Sequence, residues 1–230
     1  MTNNKIIFVT GATGNQGGAV ARNLISRGFT VIALTRNPDS AKAISLKKLN
    51  IQPVKGDLDN AVTYREYLKN VYGIFSVQTF ENGVDREISQ GITLATIAKE
   101  IGVNHFLYSS AIGTDLNSGV SHIESKSKIE NYIKQSGLPF TIIRPSSFYE
   151  NFLIPQVKKG ILKGKLVQPT NADTVLQYIA ADDIGKAAAK IFENNEMFMG
   201  RTIPLATEQL STLEVAQIFS DVLGKKVEYK

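Results

Sequence analysis

One stretch, Lys5 to Arg27, constrains this chain more than any other: an apolar run breaks into a glycine-rich turn and resumes with helical periodicity. Ile6-Ile7-Phe8-Val9 is β-branched or aromatic throughout, which suits a strand buried on both faces. Thr10-Gly11-Ala12-Thr13-Gly14-Asn15-Gln16-Gly17-Gly18 follows, and Val20, Ala21, Leu24 and Ile25 then recur at helical spacing. Strand, glycine turn and helix start together make a seat for a pyrophosphate, because free N–H groups and the positive end of the helix dipole both favour negative charge. The glycines are spaced Gly-x-x-Gly-x-x-Gly, not Gly-x-Gly-x-x-Gly as in the standard dinucleotide fingerprint. Their physical roles carry over. Gly11 turns the chain off the strand, Gly14 lets backbone approach a phosphate, and Gly17 lets the helix pack closely on the sheet.

The length of 230 residues fits one large domain, or a domain with a small lobe, and can bury a substantial core. There is no cysteine, so disulfides, thiolate catalysis and cysteine-ligated metals are excluded, and no metal site is expected. Met1 to Lys5 run into the first strand without a signal-peptide core, and no apolar run reaches about 18 residues. The expectation is a cytoplasmic protein with no membrane association. A net charge of +5 is scattered in short pairs such as Lys158-Lys159, a solvated surface that also favours an anionic cofactor. Nothing resembles a helix-turn-helix or a basic arm, so no direct nucleic-acid binding is expected.

The rest of the chain alternates strands with helices. Thr30 to Thr35 reads as a second buried strand, and Arg36 follows it at once. In NAD-binding sheets an acidic residue about 20 positions beyond the glycines accepts a hydrogen bond from the ribose 2′-hydroxyl. Here Arg36, nineteen residues after Gly17, stands in that place and suits a 2′-phosphate, with Lys42 as a second contact. NADP(H) is therefore preferred over NAD(H). Residues 40–49 read as a helix, and 51–55 as a strand ending at Gly56-Asp57-Leu58-Asp59, where Asp57 either binds the adenine edge or caps the next helix. Residues 61–70 read as a short helix, 73–77 as a strand leading to Gln78 and Thr79, and 84–101 as a long helix through Ile88, Ile92, Ala95 and Ala98. A fifth strand, 105–110, ends in Ser109 and Ser110; a helix over 123–135 and a strand over 140–144 follow, closed by Pro145. Ligands sit beyond the C-terminal ends of parallel strands, which singles out Gln78, Thr79, Ser109 and Ser110. Residues 151–165 read as a lid or substrate-lobe segment, 182–192 as a helix with Asp182 at its N-cap, and 212–223 as a helix stopped by Gly224. The alternation predicts an α/β fold, a Rossmann-type doubly wound parallel sheet over 1–150, with a small C-terminal α/β substrate lobe over 151–230.

Val9 to Gly18, Thr35-Arg36-Asn37-Pro38, Gly56-Asp57, Ser109-Ser110-Ala111, His122 to Lys126, and Arg144-Pro145-Ser146-Ser147-Phe148-Tyr149-Glu150-Asn151-Phe152 occur in an order that resembles the NmrA-like branch of the atypical short-chain dehydrogenases. The resemblance covers about residues 5–229. It implies an NADP-binding sheet, with the turn residues Thr13, Asn15 and Gln16, the loop residues Asp57 and Leu58, and Pro145, Ser146 and Phe148 near the nicotinamide all contributing to the cofactor site. Members of the branch include quinone reductases and non-enzymatic regulators that sense NADP, and they run on well past the position where this chain stops, so a small or shortened lobe is expected.

Tyrosine-dependent short-chain dehydrogenases use Tyr-x-x-x-Lys, and none of the eight tyrosines here has a lysine four residues on, a departure typical of the branch this chain resembles. Lys126 instead sits four residues after His122. Lys126 can bind the nicotinamide ribose; His122 either donates a proton or is a surface group; Ser110 either orients a carbonyl or caps its strand. Two outcomes stay open: NADPH-dependent reduction of a quinone-like electrophile, or a non-catalytic sensor acting through a protein partner, as monomer or homodimer. A sugar-nucleotide epimerase or dehydratase needs the missing tyrosine.

Overall fold

The computed structural model describes residues 5–230; the reading of Met1 to Asn4 as a direct lead into the first strand lies outside them. In chain order the elements begin β1 (Ile6–Val9), α1 (Asn15–Ser26), β2 (Thr30–Thr35), α2 (Ala41–Lys47), β3 (Gln52–Lys55), β4 (Gly73–Ser76), α3 (Val84–Glu100), β5 (His105–Ser109), α4 (Ser121–Ser136) and β6 (Phe140–Pro145). They continue β7 (Ser147–Phe148), α5 (Pro155–Leu162), β8 (Lys165–Leu166), β9 (Val175–Ile179), α6 (Ala181–Glu193), α7 (Asn195–Phe198), β10 (Thr202–Leu205), β11 (Glu208–Ser211), α8 (Thr212–Leu223) and β12 (Glu228–Tyr229).

The first compact unit is the chain up to Arg144 together with Asp182–Pro204. Its sheet runs β10-β6-β5-β4-β1-β2-β3 and is parallel, as in a Rossmann fold. Strand residues alternate between two covered faces, hence the unbroken apolar runs. On one face Phe8, Ile74, Phe106 and Ile142 pack with Leu94 and Ala98 of α3 and Ile129 and Ile133 of α4. The other face is covered by α1 and α6: Gly185 brings α6 so close to α1 that an added Cβ would lie 2.7 Å from Ala19 O, and Phe192 packs edge-on against Phe29 and His105.

The second compact unit is Pro145–Ala181 with Leu205–Lys230. It holds a three-stranded sheet, β11-β9-β7, and the pair β12-β8. Phe152, Tyr178, Val215 and Val227 form its core. Ser211 and Glu214 close a capping box at the start of α8, and Gly224 ends that helix in the left-handed region, at φ 63°.

Several sequence expectations shift. The helix expected over 61–70 is two 3₁₀ turns, Ala61–Thr63 and Arg65–Leu68, because Thr63 Oγ1 donates back to Asn60 O at 2.6 Å and winds the segment tightly. Asp182 lies inside α6, not at its N-cap; it accepts from Asn23 at 3.0 Å and pairs with Lys186 at 3.1 Å. Pro145 belongs to β6, and 151–165 holds α5, with proline at its start. The divide expected at 150/151 becomes an interleaved one, since residues 182–204 return to the first unit.

Candidate functional site

All the parallel strands of the first unit point their C-terminal ends to one edge, so the loops and helix starts that follow them gather there. β2 lies on one side of β1 and β4 on the other, which makes the β1/β4 gap the switch point where such sheets hold ligands. The glycine turn lies at this gap. Gly11 takes φ +64°, open to glycine at little strain, and an added Cβ there would also strike Val77 Cγ1 at 2.8 Å. Thr10 pins the turn to the end of β4, donating to Val77 O at 2.9 Å and accepting from Val77 N at 2.8 Å.

Gly14 caps α1 without a side chain, and the first turn holds no acidic residue. The helix start therefore keeps its free N–H groups for an anion. Gln16 reaches across to donate to Ser109 Oγ at the end of β5, so two of the expected cofactor contacts already meet each other. Gln78 is buried and donates to Ser76 Oγ at 2.9 Å, while its Oε1 is buried with no partner among the described residues. That orphaned acceptor and the open helix start fit a bound dinucleotide.

Arg36 is exposed just past β2, and its guanidinium enters no ion pair among the described residues. Asp59, in the loop after β3, is held below the usual carboxylate range by hydrogen bonds from Arg86 and Gln90 and by the charges of Arg86 and Arg36. Lys42 is exposed on α2. Asp57 turns Oδ1 to Asp59 N at 3.1 Å within its own loop and does not cap the next helical turn, whose cap is Asn60, accepting from Val62 N at 3.2 Å; half-buried Leu58 packs on the core. Thr79 is exposed and accepts from Glu81 N at 3.3 Å.

α4 starts at Ser121, so His122 is its second residue and not a residue ahead of it. The His122 ring stacks on Phe80 at 4.7 Å and 25°. One turn on, Lys126 is buried and donates to Glu87 Oε1 at 2.7 Å; Ser125 Oγ donates to Glu87 Oε2. The sequence reading missed Glu87. Of the α3 face predicted through Ile88, Ile92, Ala95 and Ala98, the two alanines are buried and Ile88 and Ile92 only half-buried, and the helix also turns Glu87, Gly91 and Leu94 inward. A carboxylate in step with that small apolar stripe was the available signal.

Ser110 is buried at the end of β5; its N–H donates to Ile143 O at 2.9 Å, and its hydroxyl lies beside Glu130 without ordinary hydrogen-bond geometry. Glu130 receives both arms of Arg144, at 2.9 and 2.8 Å, with Thr114 at 2.8 Å and Lys134 at 2.8 Å. Burial opposes its ionisation, but the Arg144, Lys134, Ser110 and Thr114 contacts outweigh burial and bring its pKa down to about 2. The Arg144 of the Arg-Pro motif is thus a structural clamp within the first unit. Pro145, Ser146 and Phe148 belong to the second unit, where Ser146 is buried and its hydroxyl has no partner among the described residues.

No helix of the described residues is long and apolar enough to cross a membrane. The profile of the NmrA-like family matches residues 3–230. An NmrA-like family domain-containing protein of Dictyostelium discoideum is 31% identical over 242 residues, covering 98% of this chain and 80% of its own length. An NAD(P)H azoreductase of Xenophilus azovorans is 30% identical over 225 residues, covering 97% and 76%. Among solved structures, NmrA, described as a negative transcriptional regulator, superposes in complex with NADP at a TM-score of 0.85 and 28% identity, covering 98% of this chain and 74% of that one. The same regulator in complex with NAD superposes at 0.85 and 27% identity, covering 99% and 74%.

Proposed function

Because this chain belongs to the NmrA-like family, we propose that it is an NADP(H)-dependent oxidoreductase that reduces a quinone or similar small electrophile. One observation carries the cofactor reading: the uncapped start of α1 at the β1/β4 switch point, with Arg36 unpaired among the described residues one strand away. Gly11, Thr13, Gly14, Asn15 and Gln16 would hold the pyrophosphate by backbone and side-chain donors. Arg36, with Lys42, would take the 2′-phosphate, whose charge a carboxylate in that position would repel. Gln78, Thr79 and Ser109 would line the path between the two ends, and Lys126 would bind the nicotinamide ribose. Pro145, Ser146 and Phe148 are assigned on the family resemblance alone.

When bound, NADPH would supply a hydride. With one proton, that hydride converts a quinone to a hydroquinone, so no active-site phenol is required. His122, one turn before Lys126 on the same helix face, can deliver the proton; solvent is the other source. The azoreductase relative supports reduction of a conjugated acceptor. We also assign the protein to the cytoplasm.

A second reading is a non-catalytic sensor of the cofactor acting through a protein partner. The absent Tyr-x-x-x-Lys pair and the similarity to the NmrA regulator favour it. One experiment separates the two: titrate NADPH and NADH against wild type and Arg36→Ala, then assay the same samples with quinones, azo dyes and aldehydes. The expected result is NADPH preferred by about tenfold or more, that preference lost in Arg36→Ala, and NADPH oxidised with at least one quinone. An unchanged preference in the variant refutes the 2′-phosphate assignment. Tight binding without turnover across the panel refutes the enzyme.

A further inference from the structure

We infer that Glu87 is a positioning residue for Lys126, fixing its ammonium so that the remaining N–H donors meet the nicotinamide ribose; this rests on the cofactor reading above. Both side chains are out of solvent, Lys126 at 11% exposure and Glu87 at 0%. Glu87 lies in the first turn of α3 and Lys126 in the second turn of α4, and both helices begin at the ligand-bearing edge of the sheet. The two helices are in close approach one turn further on, where a Cβ on Gly91 would lie 2.7 Å from Ile129 Cδ1.

Stability alone gives little reason for this pair. Taking two charges out of water offsets most of their attraction, and an apolar pair of similar volume is often at least as stable. The geometry instead serves to hold the lysine. One carboxylate oxygen takes Lys126 and the other takes Ser125, so the carboxylate cannot swing. An ammonium has three donors, and Glu87 takes the one hydrogen bond that Lys126 makes among the described residues. Two donors remain, the number a vicinal diol can accept. The alternative anchor is already occupied: Glu130, four residues on along the same helix face, is bound by Arg144 and Lys134.

The test compares wild type, Glu87→Gln, Lys126→Met and the double variant in binding NADPH and adenosine 2′,5′-bisphosphate, which carries only the adenylate half. Either single change is expected to weaken NADPH roughly tenfold, the double change to add nothing further, and bisphosphate affinity to stay constant. The inference is overturned if Glu87→Gln leaves NADPH affinity unchanged, weakens both ligands equally, or retains its full effect when Lys126 is already methionine. If wild type binds no NADPH, the cofactor reading falls and takes this assignment with it. Should Glu87→Gln fail to fold, Ser125→Ala, which frees the second carboxylate oxygen, carries the same comparison, with roughly threefold weakening expected.

Discussion

Replacing Gly17 by alanine tests the glycine turn most directly. A Cβ at this position would lie 2.5 Å from the carbonyl carbon and oxygen of Gly11 and from Thr10 O. All three are backbone atoms. Thr10 cannot retreat easily, because its N–H donates to Phe75 O at 3.0 Å and its hydroxyl is bonded to Val77. Ordinary carbon contacts lie at about 3.5–4 Å, so α1 must move off the turn by roughly 1 Å. Overpacking of that kind costs about 1–3 kcal/mol, while replacing a helical glycine by alanine returns about 1 kcal/mol. The net loss, about 0–2 kcal/mol with its centre near 1, lowers Tm by about 3 °C for a chain of this size. Dinucleotide affinity falls further, by about tenfold, because the displaced helix start no longer aims its N–H groups at the pyrophosphate. Thermal denaturation and an NADPH titration on the same samples measure both effects. Gly18→Ala, whose Cβ would meet Ala12 O at 3.0 Å, is the milder comparison. A Gly17→Ala protein as stable as wild type, with unchanged NADPH affinity, refutes the close-packing argument.

Two further outcomes concern pH. His105 is fully buried, neither ring nitrogen has a partner among the described residues, and burial lowers its pKa to about 4. Its folded pKa lies below the unfolded value of about 6.5, so stability is full above pH 6.5 and falls as pH drops toward 4. His105→Phe removes this slope in acid denaturation followed by circular dichroism; an unchanged slope refutes the assignment. Glu130, with a folded pKa of about 2, contributes stability that is present above pH 4.5 and is lost as pH falls toward 2. Glu130→Gln is therefore destabilised at pH 7, by about 3 kcal/mol since it leaves Arg144 only the exposed Asp115, at 3.0 Å, as an ionic partner, and the gap to wild type narrows at pH 2; a gap independent of pH refutes it.

What was legible in the sequence was what local chemistry decides. The glycine turn announces itself because strand, turn and helix start are contiguous, and α8 is delimited by a capping box and a C-terminal glycine that need only their neighbours. Arg36 is legible because a strand end fixes its place. The pairing of Lys126 with Glu87 is not, since it joins residues 39 apart and depends on the rotation of α3 about its axis. Ala95 and Ala98 go inward as expected, but Ile88 and Ile92 stay half-buried because the close approach at Gly91 rotates the start of the helix to one side of that face. Arg144 carried a motif label, but its bond to Glu130 was invisible until β6 and α4 were laid side by side. The fold class followed from alternation; the seventh strand did not, because β10 is Thr-Ile-Pro-Leu, interrupted by a proline, and follows a long excursion.

That excursion bears on how the molecule is made. The chain leaves the first unit after Arg144, comes back for Asp182–Pro204 and leaves again. Until α6 and β10 have emerged from the ribosome, β6 is an edge strand and the face formed by Gly73, Phe29 and His105 lacks Phe192. A nascent chain of about 150 residues is thus a sheet with an open edge and one flank covered by α1 alone, the condition in which strands pair with the wrong neighbours. Dividing the gene at the apparent lobe boundary would produce that same half-clad intermediate, not a free-standing nucleotide-binding module.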